Sequence, residues 1–132
     1  MSKIKSFISY LWQLPQNIMG LFVVYFSKAT YNKVWGVYDT EKDFGVSLGK
    51  YVILYKYRGV KTIKHEKGHQ KQSLYFGWLY LLIIGLPSAL GNLWDRIFHK
   101  KWTSYERERW YYNLPWEHWA DKLGRVYRKT LW

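Results

Sequence analysis

The chain has 132 residues, and 21 Lys and Arg against nine Asp and Glu leave it a formal net charge of +12. That length suits one compact unit with a small core. Aromatic side chains make up 21% of it, which excludes ordinary disorder, and the absence of Cys excludes a disulfide scaffold, a thiolate metal site and a Cys nucleophile. Strong positive charge with many Trp and Tyr points to nucleic acid or to a membrane surface, and composition does not choose between them.

Residues 6–27 follow Lys3 and Lys5 and carry no charged side chain. Gln13, Pro15, Gln16 and Asn17 interrupt the apolar pattern, so a removable signal does not fit. Only residues 18–26 are solidly apolar, where a full span needs about 20 residues. Residues 1–27 therefore read as an N-terminal apolar anchor segment, a tilted anchor or an interfacial pair of short helices, ahead of a folded domain over 28–132.

Residues 34–38 and 46–57 are rich in Val, Ile and Tyr and predict strands joined by a polar connection over 39–43. Gly45 and Gly49 bracket a tight bend or a bulge. A second uncharged run, residues 73–94, has the length of a spanning helix. Its interior reads Gly85-Leu86-Pro87-Ser88, and proline removes a backbone donor and disfavours helix at the preceding residue. This predicts a helix ending near Gly85 and a second beginning near Ser88, each arm about 16 Å long. Leu114-Pro115 marks a further helix start and Gly124 its stop.

His65-Glu66-Lys67-Gly68-His69 matches H-E-x-x-H. On a helix, residues four apart share a face, so two imidazoles can hold one metal ion while Glu66 serves its water. Roughly one random chain of this composition in two hundred contains the pattern. Thr62 is placed to cap the helix, and Gln72, Phe76, Leu79 and Ile83 continue the stripe set by the two His. Gly68 inside that helix implies a second backbone packed close by. Lys67 is expected to point away from the metal. A catalytic zinc needs a third protein ligand. Glu117-His118-Trp119-Ala120-Asp121, on the helix after Pro115, offers Glu117 as that ligand, with Asp121 on the same face to accept the spare ring N–H of a ligand His. Tyr111, Tyr112 and His118 lie close in sequence as possible donors to an oxyanion.

This H-E-x-x-H followed by E-x-x-x-D resembles the gluzincin metallopeptidases. The stretches Leu11-Trp12-Gln13-Leu14-Pro15-Gln16-Asn17, Gly45-Val46-Ser47-Leu48-Gly49, Ile84-Gly85-Leu86-Pro87-Ser88 and Trp119-Ala120-Asp121-Lys122-Leu123-Gly124 are similar to a group of small uncharacterised membrane-associated bacterial metallopeptidases. Two departures stand out: Lys67 replaces a usual Tyr or Phe, and Arg125 replaces a usual Gly. The resemblance implies zinc, a peptide or protein substrate and the bacterial cytoplasmic membrane.

The fold expected is α+β: a minimal zincin-like unit in which a β-hairpin or small sheet precedes the motif helix, followed by a re-entrant or buried helical hairpin and a C-terminal ligand helix. A single crossing by 73–94 would put His69 and Glu117 on opposite sides of a membrane, so a shared metal requires that hairpin. The function expected is zinc-dependent peptide hydrolysis at a membrane surface. The basic balance of the chain after its first segment favours a cytoplasmic catalytic face. The alternatives are a non-enzymatic basic module for anionic lipid or nucleic acid and a zinc-binding pseudopeptidase. The Trp residues read as core and interface belt rather than base-stacking platforms, so no specific nucleic acid is expected.

Overall fold

The structure is a computed structural model and describes residues 2–128. It opens with two helices, α1 (Lys3–Trp12) and α2 (Leu14–Ser27), which place Pro15 in the first turn of α2, where a missing N–H breaks no intrahelical bond. Strands β1 (Thr30–Asn32), β2 (Val37–Thr40), β3 (Gly45–Leu48) and β4 (Tyr51–Tyr55) form one mixed sheet in the order β1-β2-β4-β3. β2 and β4 run parallel and the other pairs antiparallel. Four helices complete the α+β unit: α3 (Val60–Phe76), α4 (Leu86–Phe98), α5 (Ser104–Tyr112) and α6 (Pro115–Leu123).

Central strand β4 is covered on both sides, which explains its unbroken apolar run. Val52 and Leu54 join Val37 and Ile63 of α3 in the core, while Tyr51 lies against Gly20 of α2 on the other side. A Cβ at Gly20 would collide with the Tyr51 ring, so this glycine sets the approach of α2 to the sheet.

Several local expectations need correction. The first predicted strand begins at Val37 rather than residue 34, because Asn32 Oδ1 accepts from the amides of Val34 and Trp35 and Gly36 turns through φ +68°. The second run is a β3–β4 hairpin, turned at left-handed Gly49. Gly59, not Thr62, is the cap of α3. The helix also breaks earlier than expected, at Gly77 rather than at Leu86-Pro87. Gly77 has φ +54° and lies flat against the Trp12 ring, where any side chain would clash. Trp12 Nε1 donates to the Leu74 carbonyl and Trp78 Nε1 to that of Leu11, pinning the end of α1 across the break. Beyond a short 3-10 turn, residues Leu81–Gly85 form a π-helical turn that runs straight into α4. A π turn shifts which donor each carbonyl meets, so the chain absorbs Pro87 in the first turn of α4 without a break there.

Helix α6 starts at Pro115 and ends at Gly124, as the sequence predicts. Its end is a Schellman motif: the Arg125 amide bonds to Lys122 O and the Val126 amide to Asp121 O, with Arg125 at φ +60°. Glycine is the unstrained residue in that conformation, so Arg125 carries a left-handed cost there.

Candidate metal centre

Helices α3 and α6 run antiparallel and nearly in backbone contact. A Cβ on Gly68 would fall on the carbonyl of Ala120, and one on Gly124 would fall on that of Lys64. One turn further along, Gln72 Nε2 donates to Trp116 O at 3.0 Å. These steps are four residues apart on both helices, so the two faces stay in register and His65 and His69 look directly at Glu117 and Asp121.

His65, His69, Glu117 and Asp121 are all buried. His65 Nε2 and His69 Nε2 approach the same atom, Glu117 Oε1, at 3.0 and 2.9 Å. The other ring nitrogens face acceptors. His65 Nδ1 is 2.7 Å from Asp121 Oδ1, and His69 Nδ1 is 2.6 Å from Gln72 Oε1. The Gln72 amide is oriented by its donation to Trp116, so the oxygen is the end that faces His69. Each ring therefore donates from Nδ1, and in a neutral ring Nε2 is left with its lone pair. Two nitrogen lone pairs and a carboxylate oxygen then converge, and only positive charge among them makes the arrangement stable.

Protons or a metal cation can supply that charge. Burial opposes protonation of His65, yet its bonds to Asp121 and Glu117 outweigh it and lift the pKa to about 9. His69 is raised likewise, against burial, by Glu117. Burial opposes ionisation of Glu117, but the two imidazoles hold its carboxyl well below the usual range. The ligand atoms of His65, His69 and Glu117 lie within 4.8 Å of one another. Glu117 Oε2 is buried and has no hydrogen-bond partner among the described residues. Two imidazoles, a carboxylate with an unused oxygen, and acceptors behind both rings make a donor set that fits a divalent metal ion.

A cavity of about 710 Å³ opens beside this group, and His65, Glu66 and His69 line it. Half-buried Glu66 is the carboxylate of α3 that faces the space rather than α6. Lys67 turns away and donates to the Gly36 carbonyl at 3.3 Å. β3 forms one wall, and Tyr80, Tyr111 and Tyr112 also contribute. Burial raises the pKa of all three phenols, that of Tyr112 to about 12, and leaves each a donor near neutrality. His118 does not line the cavity.

Sequence reasoning did not anticipate three contributors. Gln72 stood only as a member of the helix stripe, although its spacing of three from His69 permits the bond. Arg128 holds Asp121 through Nε at 2.8 Å and Nη2 at 3.2 Å, and its guanidinium stacks 3.5 Å above the Tyr112 ring. Tyr80 donates its hydroxyl to Ser47 O at 3.0 Å. Neither of the last two has a local sequence signal. Comparison with family models, curated proteins and solved structures gives no match, so the chemistry of this centre is read from its own geometry.

Proposed function

We propose that this protein is a zinc-dependent peptidase of gluzincin type, with His65, His69 and Glu117 holding the metal and Glu66 acting as general base. The observation that carries the reading is the convergence of two imidazole nitrogens and a buried carboxylate on one point, beside a cavity that Glu66 also lines. Zinc, when bound, acts as a Lewis acid toward the scissile carbonyl and brings the pKa of water to about 7.

The chain's own groups supply the remainder. Glu66 takes a proton from the attacking water and passes it to the leaving amine. Asp121 and Gln72 hold the Nδ1 protons of the two imidazoles and keep each Nε2 turned inward. Tyr111 and Tyr112 remain protonated and can donate to the oxygen that gains charge in the tetrahedral transition state.

Edge strand β3 suits an extended substrate. Leu48 pairs with Tyr51 across the two-residue turn, and the Tyr55 amide bonds to Phe44 O. The main-chain groups of residues 44, 46 and 48 thus turn toward β4, while those of Gly45 face the free edge and the Ser47 carbonyl beside them is held by the Tyr80 hydroxyl.

Metal analysis of purified protein and a peptide-cleavage assay test the proposal. Glu66→Gln should retain the metal and lose cleavage by a factor of about 10² to 10⁴. Full activity in that variant rules out the general-base role. Bound metal with no cleavage of any peptide identifies a zinc-binding pseudopeptidase, and no metal at all leaves the basic binding module.

A further inference from the structure

One helix beside the cavity is turned inside out. In water an amphipathic helix buries its apolar stripe and exposes its polar one. Helix α2 does the reverse: Gln16 and Asn17 are fully buried, while Ile18, Leu21, Phe22 and Phe26 are exposed. Gln16 Nε2 donates to Ser73 Oγ and Gly77 O, and Asn17 donates to Tyr10 O and accepts from the Lys50 amide. Helix α4 turns its polar residues to the open cavity and its apolar ones outward. Ser88, Asn92 and Arg96, four apart, line the cavity, while Leu90, Leu93, Trp94 and Ile97 face outward. Helix α1 buries none of its side chains and exposes Ile4, Phe7, Ile8 and Leu11. The Trp12 and Trp78 bonds at the Gly77 break hold the end of α1 beside the chain leading to α4.

Charge selects what covers this surface. Lys3 and Lys5 lie at the start of α1, Lys28 at the end of α2, and Arg96, Lys100 and Lys101 at the end of α4. The first acidic residue of the chain is Asp39, and the one acid between residues 73 and 98, Asp95, is held by Arg107 and His99. A second copy, itself at +12, is repelled, whereas an anionic bilayer is attracted. None of the helices is long and apolar enough to cross a membrane among the described residues, so the seat lies within one leaflet.

The cavity opens onto the same face. Met19 of α2 and Leu86 of α4 both line it and are 47% and 49% exposed, so its rim is continuous with the apolar surface. We infer that the outer faces of α1, α2 and α4 seat this protein in one leaflet of an anionic bilayer, and that its cavity receives polypeptide held at that bilayer. The second half rests on the peptidase reading; the first does not.

Full-length protein carrying Glu66→Gln is mixed with vesicles of phosphatidylcholine and phosphatidylglycerol in equal parts, and partition is read by flotation. Binding should persist at about 0.5 M salt, where charge attraction alone is screened. Phe22→Asp and Leu90→Asp, both on exposed positions, should each lower partition at least about tenfold with unchanged circular dichroism. Val34→Asp, in the exposed β1–β2 turn, should not. Binding abolished by salt, transferred to nucleic acid, equally reduced by Val34→Asp, or replaced by a dimer that hides Phe22 and Leu90 overturns the seat. With wild-type protein, a peptide acylated into the vesicles should be cleaved at least about tenfold faster than the same free peptide. Equal rates overturn bilayer delivery. Vesicle binding with neither peptide cleaved upholds the seat and removes the peptidase reading instead.

Discussion

Gln72 fixes the tautomer of His69. Its oxygen sits 2.6 Å from His69 Nδ1 while its nitrogen donates to the Trp116 carbonyl, so α6 orients an imidazole that belongs to α3. Gln72→Ala leaves all three ligands in place but frees that ring. It should weaken metal affinity by about ten- to a hundredfold in a chelator competition, with helix content unchanged. Wild-type affinity in this variant would show that ring orientation is set elsewhere.

Metal should couple strongly to folding, since the three donors are buried against one another. Zinc supplied to metal-free protein at about a hundred times its Kd should add about 2.7 kcal/mol to the unfolding free energy. Denaturant titration with and without chelator measures this. If zinc, cobalt, nickel and manganese all leave the midpoint unmoved, the convergent cluster is a protonated ion-pair network and not a metal centre.

The two helices should tolerate no added atoms at their contact. Gly68→Ala and Gly124→Ala each force a Cβ into a facing backbone carbonyl, and each should cost about 3 kcal/mol. Arg125→Gly, one residue on, should do the opposite. Relief of the left-handed cost exceeds the added freedom of the unfolded chain, giving a gain of about 1 kcal/mol in thermal or chemical unfolding.

Acid should attack the α4–α5 corner. Burial opposes ionisation of Asp95, but Arg107 and His99 outweigh it and lower its pKa beneath the ordinary 3.8. A carboxylate depressed in the folded state contributes stability that is complete above its unfolded pKa and is lost as pH falls through the folded value. Arg107→Gln should therefore move the onset of acid unfolding to higher pH. An unchanged acid limb would show that this pair contributes nothing to it.

The buried cluster was legible because both halves of it obey helix spacing. His65 and His69 are four apart, as are Glu117 and Asp121, and a glycine and an alanine between them announce close helices. Gln72 was visible as a position but not as a partner, since its role depends on a carbonyl of α6. Arg128 lies past the end of α6, where no periodicity applies. The helix break was misplaced for the same kind of reason. Proline is the stronger local signal, yet the deciding contact at Gly77 is Trp12, far away in the chain. The parallel pairing of β2 with β4 likewise follows from tertiary packing, with β3 folded back to the outer edge.

The reach of Arg128 ties the segment that follows α6 to the candidate metal centre. Its guanidinium binds the carboxylate that steadies His65 and covers the face of Tyr112, which itself lies edge-on to that imidazole. A proteolytic nick between Gly124 and Arg128 would therefore act on the candidate metal centre. Nicked and intact protein should then differ in the metal they retain, although neither has lost a ligand residue.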